Sequence, residues 1–322
     1  MITRRSAIAA IATPALAQPA LAQPAWPAQA VRYINPYPPG GPTDTLSRRL
    51  CQKLSGLSGQ PFLVENRSGA GGNVGVDAIA KSRPDGYTIG LGGIASHGVA
   101  PTMYATLPFD VTRDFTYVSG MWQLPNLLAV NLDLPVHSVA ELLEYARARP
   151  GQLTFGSAGP GTTLHLAGEV FNLLGQVRLV HVPYRGSAPA QLDLLAGRVS
   201  MMFDNIPGTL TLARQGRVRP LGVTSLARND TAPEIPAIAE TLPGFDVVSW
   251  TCLIGPAGIA PGIVARLSEL MRAALAAPDL RASYFELAAT PWFTTPDEMV
   301  TYQARSVATL APVVRAAGLR AD

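Results

Sequence analysis

Short apolar runs alternate with amphipathic stretches along most of this chain. Residues 31–35 form an apolar run of strand length, and residues 45–54 carry Leu46, Leu50 and Leu54 at helical spacing. The plan repeats: 61–66 reads as a strand around Phe62, Leu63 and Val64, 73–81 as a helix, and 87–92 as a strand. Strand, helix, strand, helix, strand predicts right-handed βαβ units and a parallel sheet. The turn Arg83-Pro84-Asp85-Gly86 stops the second helix and launches the third strand.

The pattern starts afresh after Pro125. Residues 127–131 read as a strand. Ser138-Val139-Ala140-Glu141 is a capping box that opens a helix through Arg147. A strand over 153–156 leads to a helix over 162–174 closed by Gly175. A strand over 178–182 leads to a helix over 188–196 closed by Gly197. Strands follow over 199–203 and 219–224. This is a second α/β unit.

A further strand is predicted over 247–254, then a long helix over 261–277. Thr295-Pro296-Asp297-Glu298 combines an N-cap, a Pro at the first helical position and a capping-box Glu, and opens a last helix to about Ala308. These C-terminal helices have no sheet of their own, so they are expected to pack back on the first unit. The chain then crosses between units twice, near 123–127 and near 248–252. The expected lobes are 28–125 with 250–322, and 126–249. Two α/β lobes on a two-strand hinge are the architecture of clamshell binding proteins.

The ends and composition narrow the class. Arg4 and Arg5, the apolar stretch 6–16, and the small-x-small sites Ala15-Leu16-Ala17 and Ala20-Leu21-Ala22 predict a cleaved secretory signal over 1–22. Thr3-Arg4-Arg5-Ser6 also suggests the twin-arginine route, so the two export routes stay open. No later segment has about 18 uninterrupted apolar residues, so a protein of the periplasm is expected. About 300 mature residues fit two domains, and 48% apolar residues supply large cores. Net charge is +3, two of it in Arg4 and Arg5, which leaves a nearly neutral chain with no basic patch for nucleic acid. Two cysteines, Cys51 and Cys252, do not make a disulfide framework. Cys51 lies on the apolar helical stripe and reads as a small buried hydrophobe.

Two turns carry the candidate chemistry. Asn35-Pro36-Tyr37-Pro38-Pro39-Gly40-Gly41-Pro42-Thr43-Asp44 runs from a strand through a stiff turn into a helix. It brings bare backbone N–H groups to an exposed helix N-terminus, a ready anion site. Gly40, Gly41 and Thr43 are candidate ligand groups. Thr43 or Asp44 would serve as N-cap, and Asp44 either caps the helix or meets an ammonium on the ligand. Phe155-Gly156-Ser157-Ala158-Gly159-Pro160-Gly161-Thr162-Thr163 repeats the plan, with His165 one turn into the helix. Two such turns suggest one small anion held between two lobes.

Other strand ends add candidates, because ligands of parallel sheets bind beyond the carboxyl ends of strands. Ser96 and His97 follow one strand. Tyr184 and Arg185 follow another, with Arg185 either a counter-charge or a salt-bridge partner. Asp204 and Asn205 follow a third, where turn chemistry before Pro207 is the alternative. Gly69-Ala70-Gly71-Gly72-Asn73-Val74-Gly75 lacks dinucleotide spacing and reads as a close helix–sheet turn. Ser157 is not in a G-x-S-x-G elbow, the four histidines lack metal-ligand spacing, and no nucleophile–base pair is visible. No catalytic residue, metal or cofactor is assigned. Trp122, Trp250 and Trp292 read as packing anchors.

Several blocks in order resemble the solute receptors of tripartite tricarboxylate transporters, often called Bug receptors. They are Pro36 to Asp44, Val64-Glu65-Asn66-Arg67-Ser68-Gly69-Ala70-Gly71-Gly72, Pro84-Asp85-Gly86-Tyr87-Thr88, His181-Val182-Pro183-Tyr184-Arg185-Gly186 and Gly255-Pro256-Ala257-Gly258. The likeness covers nearly the whole mature chain. It implies a periplasmic two-lobe fold of the type II, Venus-flytrap kind. It implies a carboxylate or dicarboxylate ligand gripped by backbone N–H groups, hydroxyls and ordered waters. The family's contact positions match Tyr37, Gly40, Gly41, Thr43 and Asp44 in one lobe. They match Ser157, Ala158, Gly159, Thr162, Thr163 and His165 in the other. The chain departs from the family at Asn35, where a bulky apolar residue is usual, and at Arg185, where Lys is common.

The expected function is a monomeric, non-enzymatic solute-binding protein for a small organic acid. Its partner would be the membrane permease of a tripartite transporter or, alternatively, a membrane sensor kinase that reads the same closed form. A secreted hydrolase or transferase is a third reading.

Overall fold

The computed structural model describes residues 26–320, so the secretory signal expected over 1–22 lies outside the described residues. The βαβ units form as the periodicity requires. β1 (Val31–Asn35), α1 (Pro42–Ser58), β2 (Phe62–Asn66), α2 (Asn73–Ala80) and β3 (Thr88–Gly93) follow in order, with β1 parallel to both β2 and β3. Tyr33, Leu46, Leu50, Cys51 and Leu54 are buried together between β1 and α1. On the other face Ile34 meets Val76 and Ile79 of α2. Gly75 allows that approach, because a Cβ there would stand 2.6 Å from the Arg67 carbonyl and 2.8 Å from Pro36 Cα.

A single turn of π-helix (Ile94–Val99) and α3 (Ala100–Met103) lead to β4 (Phe115–Val130). This 16-residue strand replaces the shorter strand expected to begin after Pro125. From Phe115 to Pro125 it pairs with β9 (Val248–Pro256), and from Asn126 to Val130 with β7 (Met201–Asn205). β8 (Arg219–Val223) also pairs with it, from Leu127 to Val130. Pro125 has no N–H to give a ladder. It sits where β4 exchanges one set of partners for the other, so it interrupts neither.

The second α/β unit contains α4 (Val139–Arg147), β5 (Thr154–Ser157), α5 (Thr163–Gly175), β6 (Val180–Pro183), α6 (Ser187–Leu195) and α7 (Ile206–Arg214). Ser138 caps α4 by accepting from the Glu141 N–H, but the expected box is not closed, because the Glu141 carboxylate accepts from the His137 N–H one residue before the cap. Gly175 does not close α5. It stays helical, where a Cβ would meet Leu143 at 2.5 Å, and Gln176 takes the left-handed cap at φ 50°. The sheet runs β2-β1-β3-β9-β4-β7-β5-β6, mixed because β4 and β9 oppose their neighbours. Residues of both α/β units, from Ile34 to Phe203, share one core cluster.

α8 (Pro261–Ala276) packs on α1 and β4, joined by α9 (Pro278–Phe285). A two-residue strand, β10 (Thr290–Pro291), pairs with β4 before the last helix begins. α10 (Pro296–Ala316) starts at the expected Thr295–Glu298 box but runs past Ala308 and through Pro312. It packs on the π-helix, α3 and β4, and also on α5, so it does not rest on the first unit alone. No described helix is long and apolar enough to cross a membrane. Cys51 and Cys252 are both free and buried.

Candidate functional site

The first turn is braced from below by an acid. α1 begins at Pro42 with Gly41 as N-cap, so Asp44 lies inside the first helical turn rather than at the cap. Its Oδ2 accepts from the Gly40 N–H at 2.9 Å and from Arg48 Nε at 3.0 Å. Its Oδ1 accepts from Asn66 Nδ2 at 2.8 Å, and that amide also donates to the Tyr37 carbonyl. Burial pushes the Asp44 carboxyl up, but the bonds from Arg48, Gly40 and Asn66 outweigh it and hold the group below the usual range. Asp44 thus shapes the turn from inside the helix and is not its N-cap, contrary to one of its two expected roles. Gly40 takes φ 83°, open to glycine at little cost. Pro42 has no N–H, so the first-turn donors left without helical partners come from residues beside it. Thr43 and Gly41 are partly exposed here. Tyr37 packs its ring against Gly72, and burial lifts its phenol to about 12.

The second turn is braced by imidazoles. Phe155 on β5 is in register with His181 on β6, so their side chains share a face with Ser157. Ser157 Oγ stands 2.7 Å from His181 Nε2 and accepts from the Gly159 N–H at 3.1 Å. The rings of His181 and His165 stack with centroids 3.6 Å apart. Gly168 lets α5 settle onto Phe155, which brings His165 over His181. His165 Nδ1 accepts from the Gly161 N–H at 3.3 Å, and its Nε2 faces Glu169 Oε1 at 3.5 Å. Thr162 caps α5 by accepting from the His165 N–H, while its own hydroxyl donates to the Gly159 carbonyl at 2.7 Å. Burial, and then the neighbouring His165, lower His181 to about 4. Two unit charges at this ring spacing would repel by about 4–5 kcal/mol at an effective dielectric of about 20. Met103 of α3 sits on Gly161, where a Cβ would come within 2.7 Å of its Cε.

The remaining candidates separate into those near a strand end and those in the core. His97 is fully buried against Phe109, Phe115 and Tyr117 rather than on an open strand end. Burial lowers it to about 3, and Nε2 has no partner among the described residues. Ser96 is buried beside it, with Oγ 2.8 Å from His97 Nδ1. Tyr184 follows β6, but its hydroxyl donates to Asp193 at 2.7 Å, and burial raises it to about 12. Arg185 is exposed. Asp204 is buried and accepts from Ser187, Gln191, Thr209 and the Asn205 N–H. It ties the starts of α6 and α7 to β7, the turn chemistry that was its alternative. Ala158 accepts from the Gly186 N–H through its carbonyl. Thr163 is buried at the first helical position of α5.

The Ser157–His181 contact was hidden in the sequence, because 24 residues separate the partners and only strand register joins them. It is not an exposed nucleophile: Ser157 is wholly buried and its oxygen already serves the turn. Two cavities lie elsewhere. One of about 740 Å³ separates α8 from the start of α10, and one of about 380 Å³ lies between α10 and the crossing segment 246–250. Neither is lined by a residue of the two turns.

Residues 46–319 match the family described as "Tripartite tricarboxylate transporter family receptor". The chain belongs to this receptor family. A family relative from Pseudomonas sp. (strain P51), the UPF0065 protein in the tcbD-tcbE intergenic region, is 41% identical over 87% of this chain and 84% of its own. The structure of R. palustris Rpa4515 with adipate superposes with a TM-score of 0.84 at 37% identity, covering 91% of this chain and 98% of that one. MatC (Rpa3494) from Rhodopseudomonas palustris with bound malate superposes at 0.78 with 29% identity, over 90% of this chain and all of the other. The receptor fold is therefore the two-lobe α/β fold of periplasmic solute-binding proteins, and the family is one of receptors.

Proposed function

We propose that this chain is an extracytoplasmic receptor that closes two lobes on a small carboxylate or dicarboxylate and presents it to a membrane permease. The observation that carries this reading is the pair of strand–turn–helix sites, one after β1 and one after β5, on opposite sides of the β4–β9 crossing. Each points a helix N-terminus beyond a strand end, where anions are stabilised. The turn residues Tyr37, Gly40, Gly41, Thr43 and Asp44, and Ser157, Ala158, Gly159, Thr162, Thr163 and His165, form the two jaws. Lobes of 28–125 with 250–322, and of 126–249, agree with the partner exchange of β4 after Pro125 and the start of β9 at Val248. Adipate and malate in related structures are both dicarboxylates, which supports the ligand class. Capture selects the closed state, and no bond is broken.

Thermal unfolding against mono-, di- and tricarboxylates, aromatic acids, acidic amino acids and neutral sugars tests the reading. A cognate acid at 100-fold excess over Kd adds about 2.7 kcal/mol. Stabilisation by sugars or cations alone would sink it. Thr163→Pro sharpens the test. Proline fits the first helical position, and Thr162 before it is already extended at ψ 158°. The fold should survive, one donor N–H is lost, and affinity should fall about tenfold, the worth of roughly 1.4 kcal/mol.

A further inference from the structure

The imidazole pair under the second turn can change its charge, and the acid under the first turn does not need to. Because His165 Nδ1 accepts the Gly161 N–H, the neutral ring carries its proton on Nε2, facing Glu169. A proton added to Nδ1 turns that acceptor into a donor. Gly161 then loses its partner, and two further N–H groups face the turn beside that of Thr163. Stacking at 3.6 Å keeps His181 neutral meanwhile, so its link to Ser157 persists and the Gly159 N–H stays anchored.

The groups around the pair favour this exchange. Glu169 on α5 is the carboxylate that faces His165. β5 presents Phe155 and Ser157, and α3 presents Met103 to the turn. Asp204 on β7 is turned away, engaged by Ser187, Gln191 and Thr209. α10 brings Met299 and Val314 to the adjoining core.

We infer that the second turn is a proton-linked anion trap, in which capture of a carboxylate takes up one proton from water onto the His165–His181 pair. This rests on the carboxylate reading above. The proton joins the Nδ1 lone pair of His165. The imidazolium is balanced by the ligand carboxylate on one side and Glu169 on the other, and nothing leaves. The bound anion raises the proton affinity of the pair. Affinity therefore rises as pH falls, by at most tenfold per pH unit for one proton, between the apparent pKa of the liganded pair and that of the free pair. Above the liganded value the slope vanishes.

The test is calorimetric titration of the mature chain with adipate and with malate, from about pH 7.5 to 5.5, the span in which imidazole titrates, in phosphate and in Bis-Tris. The dependence of heat on buffer counts protons taken up. Wild type should take up close to one proton more than His165→Gln at the acid end. Glutamine can still accept the Gly161 N–H but cannot be charged, so the ligand's own titration cancels in the difference. Glu169→Gln keeps both rings and should move the half-point of uptake to lower pH, which keeps the test alive if His165→Gln does not fold. Equal proton counts and pH slopes in wild type and the folded variants overturn the inference alone. If no acid of the carboxylate series binds at any of these pH values, the inference and the carboxylate reading fall together.

Discussion

The two turns share one plan, a parallel strand, a glycine-bearing loop and a helix N-terminus, yet they are held by opposite kinds of chemistry. Under the first, Asp44 carries a fixed negative charge and gathers Gly40, Arg48 and Asn66 around it. Under the second, a hydroxyl and two stacked imidazoles, Ser157, His181 and His165, form a chain that reaches a carboxylate, Glu169, only behind His165. The first turn binds its own Gly40 N–H but leaves the helix start open. The second uses its Gly159 and Gly161 N–H groups internally and lies under Met103. A repeated backbone motif can thus be braced by a carboxylate in one turn and by imidazoles in the other.

The largest effect expected at a fixed, neutral pH from breaking this contrast is at Asp44. Asp44→Ala leaves the Gly40 N–H and the Asn66 amide without their acceptor and should cost about 2–3 kcal/mol in denaturant unfolding. It should also weaken acid binding more than tenfold. The depressed folded pKa gives the sign with pH: this contribution is present above about pH 4, the ordinary carboxylate value, and is lost as pH falls through the folded value. An unchanged acid limb in Asp44→Ala would show that the brace contributes nothing.

His97 should produce the next effect, between about pH 6.5, where an unfolded imidazole titrates, and about pH 3, the value to which burial lowers it in the fold. The unfolded chain binds more protons across that window. Stability should therefore fall as pH falls through it, by about 1.4 kcal/mol per pH unit at the steepest. His97→Phe should flatten that stretch of the profile measured by circular dichroism.

Gly161→Ala should cost about 1–2 kcal/mol, because φ 74° is strained for an L-residue. It also sets a Cβ against Met103. Met103→Ala should recover the clash part but not the backbone part, measurable as a double-mutant cycle. Ser157→Ala should have the smallest effect, about 1 kcal/mol for a lost hydrogen bond, with a larger loss in acid affinity as the Gly159 N–H is released.

Much of the fold was legible, because apolar spacing in elements such as β1 with α1 and β2 with α2 is set locally. The capping box at Thr295 and the N-cap at Ser138 were legible for the same reason. The span of β4 was not, because Pro125 reads as a break until a partner exchange is seen to need no N–H there. Residues of the two turns were readable from glycine and proline spacing. The role of Asp44 was not, since it depends on Asn66 from another strand. The contact of His181 with Ser157 escaped because register, not sequence distance, sets the two side by side. His97 was misplaced because a strand-end position says nothing of the aromatic ring cage formed by Phe109, Phe115 and Tyr117.

β4 spans about 50 Å at a rise of roughly 3.4 Å per residue, and it passes through both halves of the molecule without interruption. Its ladder is stepped rather than even: the register against β9 shifts between Tyr117 and Ser119 and between Gly120 and Gln123, and the register against β8 shifts between Leu128 and Ala129. Gly120 and Trp122 give their N–H groups to the hydroxyls of Thr294 and Thr251 instead of to a neighbouring backbone. Such irregularities increase local twist, so the long strand turns in several small steps along its length rather than at a single joint.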